Sequence, residues 1–158
     1  IVFTMTEDRW KDLRSGTNCP FCGARPCESA EWSKVAALAV STLYLHKVQT
    51  YRGYGILVFD PRHATRLSEL TSEEQAALWN DACRSQSAIE RVTQPDHLNL
   101  ATLGNQVPHL HWHIIPRYFH DPRWGGPVWT TSEEEMKIVR LPDEGYRSLV
   151  DAIRAELA

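Results

Sequence analysis

The amino-acid sequence predicts an α+β domain, a meandering antiparallel sheet with one long helix between its two halves and a helix at each end. Three observations lead there. Short apolar runs with strand periodicity fall into two groups bounded by turn residues. A Thr71-Ser72-Glu73-Glu74 capping box opens a helical pattern between those groups. A second helical stripe closes the chain.

Taken in order, residues 6–15 read as a short helix with Thr6 as its cap, Trp10 and Leu13 on one side and Gly16 ending it. A Cys19-Pro20-Phe21-Cys22-Gly23 knuckle follows. Residues 35–39, 42–48 and 53–59 read as strands, the last two joined through Tyr51-Arg52-Gly53, and Asp60-Pro61 ends the run. The capping box then starts a helix whose Leu78, Ala82, Ser85, Ile89 and Val92 share one face, stopped by Gln94-Pro95. Strands return at 97–103 and 109–115, separated by Gly104-Asn105-Gln106-Val107-Pro108. After Pro142, Tyr146, Leu149, Val150, Ile153 and Leu157 align on a helix over about 143–157. There are no repeats, and the expectation is one domain over 1–158 with its core at 19–129.

Composition narrows the function classes. A net charge of −3 and a sequence pI near 6.2 give no basic footprint for double-stranded nucleic acid. No apolar run approaches the ~20 residues that span a bilayer, and no signal-peptide pattern opens the sequence, so cytoplasm is the expected compartment. The Cys-x-x-Cys knuckle suits tetrahedral zinc or a reduced pair better than a disulfide framework.

The chemistry concentrates in His109-Leu110-His111-Trp112-His113-Ile114-Ile115-Pro116. On a strand, alternate side chains share a face, so His109, His111 and His113 line one side while Leu110, Trp112 and Ile114 fill the other. Single histidines such as His97 and His120 are read as structural. Three in register are not, because each buried ring must satisfy two nitrogens and a plain strand would use Val or Thr. The outer two lie too far apart for one tetrahedral ion with ~2.0–2.1 Å bonds, so the row reads as separate roles.

This run, followed by Pro116-Arg117, resembles the histidine triad (HIT) superfamily of nucleotidyl hydrolases and transferases. The similarity extends to Asn99, to Gly104-Asn105-Gln106-Val107, to Pro61-Arg62-His63, and to Asp121-Pro122-Arg123-Trp124 and Pro127-Val128-Trp129, the last two resembling a bacterial branch. The resemblance implies that His111 is the nucleophile, forming a covalent nucleotidyl-histidine that water opens. It implies that His113, Asn99 and the backbone amides of Gly104, Asn105, Gln106 and Val107 bind the α-phosphate, and that His109 orients His111 or serves a metal. It further implies a zinc ion on Cys19, Cys22, His63 and His109, no organic cofactor, and a homodimer. Two features depart from the family pattern. Lys47 stands where many relatives carry an acid for the ribose hydroxyls, and Gln106 where many carry Ser or Thr. Tyr118, Phe119, Trp124 and Trp129 stack on a base or leaving group, or belong to core and dimer packing. The expected substrates are dinucleoside polyphosphates or adenylated amines. A phosphorylase or transferase outcome at the same site and a non-catalytic, zinc-stabilised nucleotide module are the alternatives.

Overall fold

The computed structural model describes residues 5–130, 132 and 137–158, so the start of the 1–158 span lies outside the described residues. Helix α1 (Glu7–Ser15) begins on Thr6, whose hydroxyl accepts the Arg9 N–H, and ends on Gly16 at φ +91°. A Cβ at Gly16 would sit 3.2 Å from His63 Cγ, so this glycine both closes the helix and admits His63. Strands β1 (Trp32–Ala37), β2 (Ser41–His46) and β3 (Gly55–Phe59) form a meander. Helix α2 (Ser72–Thr93) carries the reciprocal Thr71–Glu74 capping box and ends at Gln94 in the left-handed conformation. Strands β4 (His97–Ala101) and β5 (His111–Arg117) complete a five-stranded antiparallel sheet of order β1-β2-β3-β5-β4, and α3 (Asp143–Leu157) closes the chain.

One face of the sheet is the core. Leu43, Leu45, Leu57, Phe59, Trp112 and Ile114 meet Leu78, Ala82 and Ile89 of α2 and Tyr146, Leu149, Val150 and Ile153 of α3. The opposite face carries Tyr44, Ile56 and Val58, packed with Cys19 and Phe21 of the knuckle. Cross-strand register sets His111 beside Val58, and His113 between Ile56 and Ala101. The period-two pattern therefore assigns the faces correctly.

The strand ends differ from the expected ones. β2 stops at His46 instead of 48 because His46 Nδ1 accepts the Val48 N–H and the Gln49 amide folds back onto the His46 carbonyl. β3 begins at 55 instead of 53, since Tyr54 N–H closes a turn on the Tyr51 carbonyl. The final strand covers His111–Arg117 and not 109–115, so His109 precedes it. Pro108 has no N–H to continue a ladder, and the His109 N–H turns back to the Val107 carbonyl. Pro116 is tolerated because β3 ends opposite Ile114.

A buried carboxylate sets the β1–β2 corner. Asp81 of α2, fully buried, accepts from Ala39 N, Val40 N and Ser41 Oγ at 3.2, 2.9 and 2.7 Å. Asp81→Ala strands these donors, so the expected loss is about 3 kcal/mol. A urea-unfolding midpoint measures it, and an unchanged midpoint would refute the assignment.

Candidate active site and metal centre

The knuckle, the segment after β3 and the entry to β5 converge on one cluster. Cys19 Sγ and Cys22 Sγ each lie 3.5 Å from His109 Nδ1, and Cys22 Sγ lies 3.2 Å from His63 Nδ1. All four ligand atoms fall within 4.8 Å of one another. A tetrahedral zinc with bonds of about 2.3 Å to sulfur and about 2.05 Å to nitrogen separates S from N by about 3.5 Å. The remaining ring nitrogens are already occupied, His109 Nε2 by the Phe59 carbonyl at 2.7 Å and His63 Nε2 by the Arg14 carbonyl at 3.0 Å. Carbonyls accept from N–H, so each ring carries its proton on Nε2 and turns an unprotonated Nδ1 to the cluster. Burial and the adjacent Cys19 sulfur push the Cys22 thiol up to about 11, so a thiolate there needs a cation beside it. The donor set fits a structural zinc ion.

Beyond the cluster, β5 presents two imidazoles. His111 is 8 % exposed, and its Nδ1 lies 2.6 Å from the His109 carbonyl, to which it donates. Its Nε2 therefore holds the free lone pair. Phe21 of the knuckle stands edge-on to the His111 ring at 5.2 Å, and burial lowers the His111 pKa. His113 Nδ1 lies 2.8 Å from Tyr54 Oη, and its ring meets His111 at 5.0 Å and Trp129 at 5.4 Å. Burial first, and then the imidazoles of His111 and His46, bring His113 down to about 4.

Asn99 on β4 belongs to the same face, and its Oδ1 accepts from Arg117 at 2.8 Å, leaving the amide –NH2 to donate. Arg117 is a buried hub. Its guanidinium forks onto Asp121 at 2.8 and 3.0 Å and also binds the Gly126 and Arg123 carbonyls. The Gly104–Val107 loop enters between β4 and β5 with Gly104 at φ +68°. Asn105 and Gln106 are exposed, and among the described residues none of the four loop amides donates to a backbone carbonyl. Such amides suit an anion.

Other expected contacts are redirected. Lys47 turns toward α3, its Nζ pairing with Glu28 at 2.8 Å and lying 4.4 Å from the Tyr146 ring centroid, so it does not replace a ribose acid. Phe119 packs on Trp124, and both line a cavity of about 850 Å³ along β4 with Asn99 and Trp129. Phe21, Tyr54 and the Arg117–Asp121 pair are site residues the sequence reading does not assign; Arg117 and Asp121 lie in segments that carry the family resemblance and have i,i+4 spacing, whereas no signal marks Phe21 or Tyr54.

The HIT domain family matches residues 38–120, more than half of the chain. The chain belongs to the HIT domain family. Among solved HIT structures, a histidine triad protein of Bradyrhizobium japonicum superposes with a TM-score of 0.75 at 27 % identity, covering 88 % of this chain and 100 % of that one. An adenosine 5′-monophosphoramidase of Schizosaccharomyces pombe is 29 % identical over 131 residues, 76 % of this chain and 91 % of its own. A bifunctional bis(5′-adenosyl)-triphosphatase/adenylylsulfatase of Arabidopsis thaliana is 29 % identical over 108 residues, 65 % of this chain. The match spans 60 % of that Arabidopsis protein's length. Among the described residues no helix is long and apolar enough to cross a membrane.

Proposed function

We propose that this HIT protein is a nucleotide hydrolase or nucleotidyl transferase that cleaves a nucleoside 5′-phosphoryl bond through a covalent nucleotidyl-His111. The carrying observation is the His111 Nδ1 contact with the His109 carbonyl, which leaves Nε2 as an unprotonated nucleophile. Attack by Nε2 on the α-phosphorus forms the N–P bond to His111 and breaks the P–O or P–N bond to the leaving group, which departs with the electron pair and takes its proton from solvent. As the ring becomes cationic, its Nδ1–H bond to that carbonyl strengthens. Water then attacks the same phosphorus and gives a proton to solvent, the N–P electron pair returns to Nε2, and a nucleoside monophosphate leaves with neutral His111 restored. His113, the Asn99 –NH2 and the amides of Gly104, Asn105, Gln106 and Val107 are the proposed donors to the phosphoryl oxygens.

Zinc on Cys19, Cys22, His63 and His109 would supply structural charge compensation, tying the knuckle to the start of β5. The two curated relatives named above support phosphoanhydride and phosphoramidate substrates, the class proposed here. The bacterial branch is part of this reading, supported by the Bradyrhizobium likeness. A homodimer is proposed from the outer edge of β4, which no strand pairs among the described residues, beside exposed Phe119, Trp124 and Trp129. A cytoplasmic setting accords with the free cysteines.

The test is a panel of dinucleoside polyphosphates and nucleoside phosphoramidates, assayed with and without inorganic phosphate. Release of nucleoside monophosphate is expected, and no turnover of either class would refute the reading. Because His113 acts neutral and its pKa is lowered to about 4 in the ligand-free protein, the acid limb of kcat/KM should fall below pH 6.5, the ordinary imidazole value. The same sign holds for stability. The unfolded ring takes its proton first, so stability declines as pH falls below 6.5 and levels off below about 4.

A further inference from the structure

We propose that Tyr54 is a positioning residue that fixes His113 in its Nε2–H tautomer, so that the third imidazole meets the phosphoryl group as a neutral hydrogen-bond donor. The argument begins with the hydroxyl. Tyr54 Oη lies 2.8 Å from His113 Nδ1, and among the described residues this is its one hydrogen-bond partner. An imidazole N–H donating to Oη would leave the phenolic proton, at a half-buried position, with no protein acceptor among the described residues. The reverse arrangement, O–H donating to an unprotonated Nδ1, uses it. The remaining proton of a neutral ring is then on Nε2, the nitrogen pointing away from Tyr54. Burial raises the Tyr54 pKa, so the hydroxyl keeps its proton for this bond.

Tyr54 is held on both its backbone and its ring. Its carbonyl accepts the His46 N–H at 2.9 Å, and its ring stacks on the His46 imidazole at 5.0 Å with 14° between planes. His46 is itself fixed, with Nδ1 accepting the Val48 N–H at 3.0 Å. On its other sides His113 meets the rings of His111 and Trp129 near-perpendicularly, at 72° and 76°. Tyr54 thus sets both the ring angle and the tautomer, the two properties that make a donor effective.

The consequence for catalysis rests on the hydrolase reading above, whereas the tautomer does not. Two-bond proton–nitrogen correlation spectra of histidine-labelled protein, with His113 assigned from a His113→Gln sample, read the tautomer directly. Wild type should show Nδ1 unprotonated and Nε2 protonated. Tyr54→Phe keeps the stacked ring and lacks only the hydroxyl, so His113 should shift toward a tautomer mixture. In parallel, kcat should fall about tenfold or more while KM changes less than about threefold. An Nδ1–H wild-type ring, or an unaltered His113 signal in folded Tyr54→Phe, would overturn the proposal. Should that variant not fold, the wild-type spectrum decides alone. Absence of turnover in the wild type would refute the hydrolase reading separately, with the spectra still deciding the tautomer.

Discussion

His111→Ala should lower single-turnover release of nucleoside monophosphate by at least about 10⁴-fold, with nucleotide affinity kept within about threefold. In the proposed mechanism the ring supplies the bond-forming lone pair, and none of its neighbours is placed to substitute. His109 turns its Nδ1 toward two cysteines and spends its Nε2 on the Phe59 carbonyl. His113 engages its Nδ1 with Tyr54. Binding should survive because the proposed phosphate donors, Asn99 and the loop amides, are on β4 and the β4–β5 connection. Single-turnover kinetics gives the first quantity and calorimetric titration with nucleoside monophosphate the second. Retained turnover in the variant would remove His111 from the mechanism.

The second large effect concerns the Cys19–Cys22–His63–His109 cluster. Two sulfurs and two unprotonated ring nitrogens within 4.8 Å carry little stability without a cation between them. Stripping zinc with a chelator, or Cys19→Ser, should therefore cost about 4 kcal/mol, or roughly 10 °C in Tm for a chain of this size. Metal analysis with a thermal melt checks this, with zinc re-addition restoring the chelated sample and not the variant. The effect should reach the active site as well. The knuckle carries Phe21, which packs edge-on against His111, and His109 supplies the carbonyl that sets the His111 tautomer. A chelator that leaves both Tm and activity unchanged would show the knuckle to be a reduced cysteine pair.

What the sequence revealed follows the range of the interactions involved. The Thr71–Glu74 box and the Gly16 stop are local hydrogen-bond patterns and were legible. So were the α3 stripe of Tyr146, Leu149, Val150, Ile153 and Leu157 and the opposite faces of Trp112 and His113, since periodicity alone fixes which residues share a face. Strand ends were less legible, because the β5 start depends on the turn at Pro108 and on where neighbouring strands stop. Least legible were contacts between distant segments. The Tyr54–His113 bond joins residues 59 apart, and the Phe21 edge on His111 depends on how the knuckle folds over the sheet. The resemblance offers His109 two duties, orienting His111 or serving a metal, and the structure makes both contacts at once, its ring facing Cys19 and Cys22 while its carbonyl accepts from His111. Lys47 shows the converse, since a position matched to a family role turned its side chain to α3.

The most direct measurement is to trap the intermediate. Substrate labelled at the α-phosphorus, mixed with the protein and quenched without acid, should leave label that is stable to base, labile to acid, and located by peptide mass spectrometry on His111. Turnover that proceeds with no such adduct, or with the label on another residue, would contradict the account.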